Sequence, residues 1–246
     1  MPLFRLSREL TFPPPSLAMP DGLLAVGGDL SIERLLVAYQ SGIFPWYSEG
    51  DPVLWWSPDP RMLLFPDEFH FAKRLERTIK QDVFDVRMDT AFDQVIGACA
   101  AMRAPKRDST WITGDMKKAY CALHREGYAH SVETWQDDEL VGGLYGVSLG
   151  ACFFGESMFS SISNASKVAT AALVRQVSRW QFPFIDCQLH NLHLASLGAR
   201  EVFAGQVTDW SWDRTDDRGR RVAPGYYYLR VTGGGQEMVR TVYVAP

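Results

Sequence analysis

The chain has 246 residues, of which 46% are hydrophobic and 22% charged, and its formal net charge is −4. These values are near the averages for soluble globular proteins and exclude disorder of the whole chain. The sequence shows no apolar run of the ~20 residues that a membrane helix needs, and its start lacks the apolar core of a signal peptide. We therefore expect one large or two small domains in the cytoplasm, without a membrane partner.

The cysteines and histidines do not form a recognisable metal site. The four cysteines are far apart, without the CxxC spacing of zinc sites, and are expected to be reduced core residues: Cys99, Cys121, Cys152 and Cys187. His190 and His193 have helical spacing, but the sequence offers no recognisable third ligand. We expect no metal and no cofactor.

The first sixty residues combine extended segments, one helix and an aromatic loop. Prolines at 13–15 and the Pro20-Asp21-Gly22 turn predict extended chain, and a helix capped by Asp29 or Ser31 runs to Gly42. The segment 42–61 holds four prolines and three tryptophans, too irregular for a regular element. We interpret residues 1–61 as a small N-terminal domain.

From residue 62 helices and strands alternate, which predicts a mixed α/β (α+β) domain over residues 62–205. Three consecutive strands, from 129 to about 155, form an antiparallel meander. Around them the pattern predicts strands at 62–65, 85–88 and 184–188, and helices at 67–81, 91–102, 115–126, 190–197 and, capped by Ser163 or Asn164, up to 178.

The tail, residues 206–246, alternates aromatic and polar residues around glycine-rich turns and is predicted to be all-β. Residues 230–235 match the R-x-x-G-x-G pattern of coenzyme A-dependent acetyltransferases. That loop should connect a strand to a helix, whereas here it lies between two strand patterns. We interpret it as a hairpin turn.

Three polar residues are candidates for chemistry. Asp186 and Gln188 are two apart in a predicted strand, so both side chains point to one face and could handle the proton of an incoming amine. Glu156 follows Gly155 at a predicted strand exit, where an acid could hold a cationic amine. The alternatives are a hydrogen-bonded pair of strand residues and a charge at a helix entry.

Aromatic residues in loop-like segments and basic residues on one helix are candidates for contact with a nucleic acid. Tryptophans in loop-like segments could stack on a base or line a pocket, or could simply be core residues: Trp46, Trp55, Trp56 and Trp111. One helix carries a basic face that suits phosphates but is also compatible with an ordinary solvated surface: Lys73, Arg74, Arg77 and Lys80.

Blocks along residues 1–202 together resemble the bacterial leucyl/phenylalanyl-tRNA–protein transferase family. In chain order they are GLLAVGGDL (22–30), GIFPWY (42–47), WWSPDPR (55–61), TWIT (110–113), AHSVETW (129–135), ELVGGLYGV (139–147), FFGESMFS (153–160), NASK (164–167), IDCQ (185–188) and SLGAR (196–200). The resemblance implies a small N-terminal domain and a GNAT-like acyltransferase domain with a mixed, largely antiparallel sheet. It also implies transfer of Leu or Phe, and less well Met, from aminoacyl-tRNA to the N-terminal Arg or Lys of proteins, creating an N-degron for proteolysis.

The same resemblance assigns roles to residues. Gln188 handles the attacking α-amine, Asp186 polarises it, and Glu156 lies near the amines. The aminoacyl side chain is expected in a pocket of Leu144, Met158 and Ile185, and the terminal adenosine with its ester against Trp46 and Trp111. Family members often have methionine at the position of Leu144, so this leucine could alter side-chain preference. Phosphates of tRNA would meet the basic helix: Lys73, Arg74, Arg77 and Lys80.

The tail departs from the family and leaves other functions to consider. It resembles the later strands of an immunoglobulin-like domain of flagellar hook-capping proteins. One alternative is an acetyl-CoA-dependent N-acetyltransferase, but residues 153–167 lack the glycine loop that it requires. Others are a non-catalytic module that binds tRNA or basic N-termini, and a β-structured adhesion module, which would need a signal peptide.

Overall fold

The computed structural model describes residues 3–103, 111–203, 220–223, 225–233 and 236–244. This part of the chain contains two mixed sheets, helices packed against them, and a β-hairpin close to the C-terminus. In the described ranges, no helix has the length and apolar character needed to cross a membrane.

The N-terminal sheet has four short strands in the order β1-β2-β4-β3: Phe4–Leu6 (β1), Leu23–Gly27 (β2), Phe44–Pro45 (β3) and Leu54–Trp56 (β4). The prediction of an irregular segment over 42–61 is wrong, because it contains β3 and β4. Trp55 anchors β4, since its buried indole Nε1–H donates to the Gly27 carbonyl at 2.8 Å. Pro45 is tolerated because β3 is an edge strand.

The larger sheet has seven strands, in the order β11-β5-β10-β9-β8-β7-β6. Its β9–β10 pair is parallel and its other pairs are antiparallel, which confirms the predicted fold class. The strands are Arg61–Leu64 (β5), Asp85–Met88 (β6), Ala129–Gln136 (β7), Glu139–Leu149 (β8), Cys152–Ser160 (β9), Phe184–Asp186 (β10) and Arg200–Val202 (β11).

Helices cover both faces of the larger sheet. The first core cluster lies on one face and includes buried residues of Ile32–Gln40 (α1), Phe92–Arg103 (α3) and Gly114–Arg125 (α4). The second core cluster lies on the other face and includes residues of Lys73–Lys80 (α2) and Ala165–Arg179 (α5). A short helix, Leu192–Ala195 (α6), precedes β11. The first cluster also takes residues from the N-terminal sheet, so both sheets share one core; the domain boundary at 61 stays a prediction.

One predicted helix start is wrong, and a second start is right but lacks the expected capping bond. The helix predicted over 67–81 is a 3-10 turn at Pro66–Glu68, an extended link, and α2. The link stays extended because Phe69 is buried and the His70 N–H donates to the Leu197 carbonyl at 2.9 Å. At α5, Asn164 occupies the cap position but donates to Thr78 Oγ1 at 3.0 Å, and Ser160 Oγ accepts the Ser166 N–H instead.

The tail forms the antiparallel hairpin Gly225–Gly233 (β12) and Gln236–Val244 (β13), with Gly233 paired to Gln236. The predicted β character is confirmed for these strands. Residues 230–233 of the R-x-x-G-x-G match lie in β12 and its last two residues lie outside the described residues; the next described segment is β13, a strand, as expected from the sequence.

Candidate active site

Glu156 lies within β9, so the prediction that it follows a strand exit is wrong. Tyr145 pairs with Ser157 and Gly146 pairs with Gly155, which leaves Glu156 as the extra residue of a β-bulge. A Cβ at Gly146 would overlap the Phe154 carbonyl, so the close approach of the strands at the bulge requires glycine. The Glu156 side chain faces the first core cluster, on the same side of β9 as Cys152 and Phe154.

Two tyrosines hold the Glu156 carboxyl group. The Tyr39 hydroxyl donates to Oε1 at 2.7 Å, and the Tyr120 hydroxyl donates to Oε2 at 3.0 Å. The two hydroxyls are also hydrogen-bonded to each other, so the three groups form a ring. The ring has three hydrogen bonds, and each needs one proton. The two phenols supply one proton each, so the third hydrogen bond forms only when Glu156 is protonated.

The surroundings of Glu156 favour its protonated form. Burial raises the pKa of Glu156 to about 7, against the lowering effect of the tyrosine hydrogen bonds, and the charge of Asp186 raises the pKa further. The positive charge of Arg61 opposes this rise. Burial also raises the pKa values of Tyr39 and Tyr120 well above the ordinary phenol value, so both remain hydroxyl donors.

Asp186 and Gln188 are brought together by a turn rather than by strand alternation. The strand β10 ends at Asp186, and Gln188 has a left-handed backbone with φ of 57°. Asp186 Oδ1 accepts the Gln188 backbone N–H at 2.9 Å, which stabilises that turn. The Gln188 amide Nε2 donates to Glu156 Oε1 at 3.3 Å, so the three predicted catalytic residues do meet.

Sequence reasoning missed three further residues of the cluster: Arg61, Tyr39 and Tyr120. The guanidinium of Arg61 contacts Asp186, with Nε 2.9 Å from Oδ1. The one available signal was that Arg61 closes the WWSPDPR block. The tyrosines belong to helices whose apolar spacing indicates core residues, so their hydroxyls gave no separate signal.

The cluster lies where two parallel strands separate. The β9–β10 pairing ends with Asp186 opposite Phe154, while β9 continues along β8 to Ser160. Openings at the carboxyl ends of parallel strands are common ligand sites, because the backbone groups there are no longer paired across the gap. Glu156 and Gln188 both lie at this end.

The predicted side-chain pocket lies on the opposite face of the sheet. Leu144 and Met158 are direct partners across β8 and β9, and Ile185 contacts the same second core cluster. Leu144 and Ile185 are buried. Met158 lies on this face because the extra residue of the bulge, Glu156, shifts the alternation of β9 by one position.

The predicted adenosine-binding tryptophans are not beside those pocket residues. Trp46 and Trp111 are partly buried against the first core cluster. Trp46 also packs edge-to-face on Trp56, at 5.3 Å between ring centroids. Trp55 is a fully buried core residue.

The predicted basic face is present on α2. Leu75 points into the core, and Arg74 approaches Ser163 Oγ at 3.5 Å. The four basic side chains are exposed to solvent: Lys73, Arg74, Arg77 and Lys80. Their contact with tRNA phosphates stays a prediction.

The described residues show no group of three or more His, Cys, Asp and Glu side chains arranged to hold a metal ion. His190 and His193, the pair with helical spacing, have other contacts: His190 lies 3.6 Å from Glu201, and His193 is partly buried in α6. The four cysteines are buried and are thiols rather than disulfides.

Comparison with known proteins assigns the family. A model of the leucyl/phenylalanyl-tRNA protein transferase family matches residues 63–208, and a model of its N-terminal domain matches residues 28–59. The similar proteins include leucyl/phenylalanyl-tRNA–protein transferases from Desulfatibacillum aliphaticivorans, 60% identical over 82% of this chain and 86% of that protein, and from Syntrophobacter fumaroxidans, 58% identical over the same shares. The C-terminal domain of a putative lysylphosphatidylglycerol synthetase from Agrobacterium fabrum is a weak structural match, with 9% identity, a TM-score of 0.39 and coverage of 70% of this chain and 57% of that one.

These matches define the chain as an aminoacyltransferase that takes its amino acid from tRNA and gives it to a protein. It belongs to the leucyl/phenylalanyl-tRNA–protein transferase family. The larger family match ends at residue 208, so the resemblance of the tail to a hook-capping domain has no support from these comparisons.

Proposed function

We propose that the chain transfers Leu or Phe, and less well Met, from aminoacyl-tRNA to the N-terminal Arg or Lys of acceptor proteins. The product carries a destabilising N-terminal residue that marks it for proteolysis. The observation that carries this proposal is the meeting of Glu156, with a pKa of about 7, and Gln188 at the open end of the β9–β10 pair. The reaction belongs in the cytoplasm, where charged tRNA is available.

The reaction needs a proton acceptor more than it needs activation of the acyl group. The aminoacyl ester is already activated, so a neutral α-amine attacks its carbonyl carbon, the C–N bond forms, and the C–O bond to the ribose breaks. A free α-amine has a pKa of about 8, so a carboxylate whose pKa is about 7 is well matched to take its proton. In the proposed mechanism Glu156 takes this proton, which then reaches the departing ribose oxygen.

Gln188 and Asp186 orient the amine in this mechanism. The Gln188 Nε2 amino group is directed to Glu156, which leaves the amide oxygen to accept a hydrogen bond from the attacking amine. Asp186 acts through Gln188, because it holds the Gln188 backbone at 2.9 Å. This ordering of reactants is the larger part of the expected rate gain.

Substrate recognition follows the predicted residues. The aminoacyl side chain enters an apolar pocket of Leu144, Met158 and Ile185 after a local opening of the second core cluster, in which Leu144 and Ile185 are buried. An apolar pocket discriminates by only about 1–3 kcal/mol per methylene, so overlapping acceptance of Leu, Phe and Met is expected. Trp46 and Trp111 hold the terminal adenosine and the ester, and the basic face of α2 binds tRNA phosphates.

A transfer assay tests this function. Full-length protein is mixed with tRNA carrying labelled Leu, Phe or Met and with peptides that differ only in an N-terminal Arg, Lys or Ala. We expect label in the Arg and Lys peptides, little in the Ala peptide, and none in an N-acetylated Arg peptide. Binding of tRNA and peptide without transfer would instead support the binding module, and label from acetyl-CoA would support the acetyltransferase.

A further inference from the structure

Arg61 connects the N-terminal segment to the acid–amide centre, which is the cluster of Glu156, Asp186 and Gln188. Its Nε donates to both Asp186 oxygens, at 2.9 and 3.1 Å, and its Nη1 donates to the Gly42 carbonyl at 2.9 Å. The guanidinium also lies over the Phe44 ring, 5.1 Å from the centroid. Both charged side chains are largely buried, with exposed fractions of 15% for Arg61 and 6% for Asp186.

This geometry fixes the Asp186 carboxylate in one orientation. Oδ1 accepts from both the Arg61 guanidinium and the Gln188 backbone, so a rotation of the carboxylate would break both contacts. Neighbouring backbone bonds hold the same turn: Met62 N–H donates to the Gln188 carbonyl at 3.1 Å, and Cys187 N–H donates to the Met62 carbonyl at 2.8 Å. Two neighbouring residues of β5 therefore hold the turn: Arg61 through its side chain and Met62 through its backbone.

We propose that Arg61 is a positioning residue for aminoacyl transfer, which holds Asp186 so that Gln188 presents its amide to Glu156 and to the acceptor amine. The proposal rests on the function proposed above. Arg61 does not touch the reacting atoms, and it acts through two residues in sequence. Its bond to Gly42 and its contact with Phe44 make the N-terminal segment part of the catalytic apparatus.

The planar fork of arginine is needed for this task. Lysine supplies the same charge, but as a single ammonium group it cannot reach Asp186 and the Gly42 carbonyl in fixed directions. Arg200 in β11 provides a matched control on the neighbouring strand. Its guanidinium pairs with Glu68 at 2.8 and 3.2 Å and lies 4.4 Å from the centroid of the Phe65 ring, so its ion pair is with Glu68 rather than with Asp186.

The first test compares Arg61→Lys with Arg200→Lys in steady-state transfer of labelled Leu to an Arg peptide. We expect Arg61→Lys to lower kcat by about 10- to 100-fold, with less than about a threefold change in KM for aminoacyl-tRNA, because a misplaced amine slows the reaction without weakening tRNA binding. Arg200→Lys should keep both parameters within about twofold. Circular dichroism and the unfolding midpoint confirm that each variant is folded.

The pH dependence of transfer separates positioning from loss of structure. The charged and titratable groups that act on Glu156 include Tyr39 of α1, Tyr120 of α4, Asp186 of β10 and Arg61 of β5. The rate of transfer at saturating peptide should fall at low pH as Glu156 becomes protonated, and this fall is the acidic limb of the pH–rate profile. Arg61→Met removes a positive charge, so it should raise the pKa of Glu156 and move the acidic limb to higher pH. Asp186→Asn removes a negative charge and should move the limb to lower pH. Arg61→Lys should leave the limb in place while lowering the rate.

A lone buried charge could unfold the Arg61→Met variant, so the double variant Arg61→Met/Asp186→Asn completes the set. If the two residues act as a unit, the double variant transfers no more slowly than the slower single variant. The inference is overturned if the wild type transfers but folded Arg61→Lys matches Arg200→Lys, or if losses at Arg61 and Asp186 simply multiply. Failure of the wild type itself would refute the proposed function instead.

Discussion

Two glutamates in the larger sheet, the fully buried Glu133 and the partly buried Glu156, have different surroundings. Glu133, on β7, is fully buried and accepts from the backbone N–H groups of Thr90 and Ala91, both at 3.2 Å. It also accepts from the hydroxyls of Thr90 at 2.7 Å and Ser131 at 2.6 Å. Glu156, on β9, is instead surrounded by two phenols, a side-chain amide and a second carboxylate.

The two sites differ in whether the hydrogen-bond donors around the carboxyl group can also act as acceptors. Backbone N–H groups cannot turn into acceptors, so the donors around Glu133 tie its side chain to the chain directly before α3 and fix the start of that helix. Phenol hydroxyls donate or accept, so the ring around Glu156 serves both protonation states. Burial alone therefore does not mark a glutamate for proton transfer, and the proposed role of Glu156 rests on the kind of donor around it.

The largest expected effect is on transfer in Glu156→Gln. Glutamine keeps the size and can still bond to Tyr39 and Tyr120, but it cannot take a proton from the amine. Because a general base contributes about 100- to 10,000-fold to a rate, single-turnover transfer should fall within that range. Peptide and tRNA binding, measured by filter retention and fluorescence anisotropy, should change little. A folded Glu156→Gln variant with nearly wild-type transfer would remove Glu156 from the base role.

The second effect is on stability in Glu133→Gln. The amide has one acceptor oxygen for four donors and turns its own N–H groups toward them, so the free energy of unfolding should fall by about 2–4 kcal/mol. Urea unfolding followed by circular dichroism measures this loss. The exposed Glu139 gives the matched control, since Glu139→Gln should stay within about 0.5 kcal/mol of wild type. Transfer per folded molecule should be unchanged in both variants. A selective loss of transfer in Glu133→Gln would contradict a purely structural role for Glu133.

A smaller effect concerns the pH dependence of stability. The pKa of Glu156 is raised when folded, so the stabilising contribution of its protonated form is complete below the unfolded value of about 4.5 and is lost as pH rises through about 7. Glutamine mimics the protonated form at every pH. Relative to Glu156→Gln, the wild type should therefore lose about 1–2 kcal/mol of unfolding free energy between pH 5 and 8, after a discount for partial exposure. Equal pH dependence in the two proteins would contradict the raised pKa.

The sequence predicts the elements that have local causes. The antiparallel strands β7 to β9 and the helices α3, α4 and α5 follow from periodicity and turn residues, and the structure places each within a few residues of expectation. The three catalytic candidates also meet, although β9 does not end at Glu156 and β10 ends at Asp186, two residues earlier than predicted. The bulge at Glu156 and the left-handed backbone of Gln188 do not follow from strand alternation.

The missed residues share a different cause. Tyr39 lies 81 positions from Tyr120 and 117 positions from Glu156, and Arg61 lies 125 positions from Asp186. The packing of helices and sheets brings such distant partners together. No local sequence pattern around a tyrosine or an arginine predicts that it will form a buried hydrogen bond. The family resemblance implied roles for Asp186 and Gln188, whereas only the structure shows that Tyr39, Tyr120 and Arg61 contact the site.

The smallest effect concerns amino acid choice and the opposite face of the sheet. Leu144 faces Met158 across β8 and β9 and is buried in the second core cluster. Methionine is unbranched and more adaptable than leucine, so Leu144→Met should let this cluster open more easily around a longer or flatter side chain. We expect the ratio of Phe to Leu transfer to change by about two- to fivefold, within the limit of about 1–3 kcal/mol that an apolar pocket imposes. Competition between equal amounts of Phe- and Leu-tRNA measures the ratio. Because Leu144 lies across the sheet from the Glu156 ring, the acidic limb of the pH profile should not move; an unchanged ratio would exclude Leu144 from the pocket.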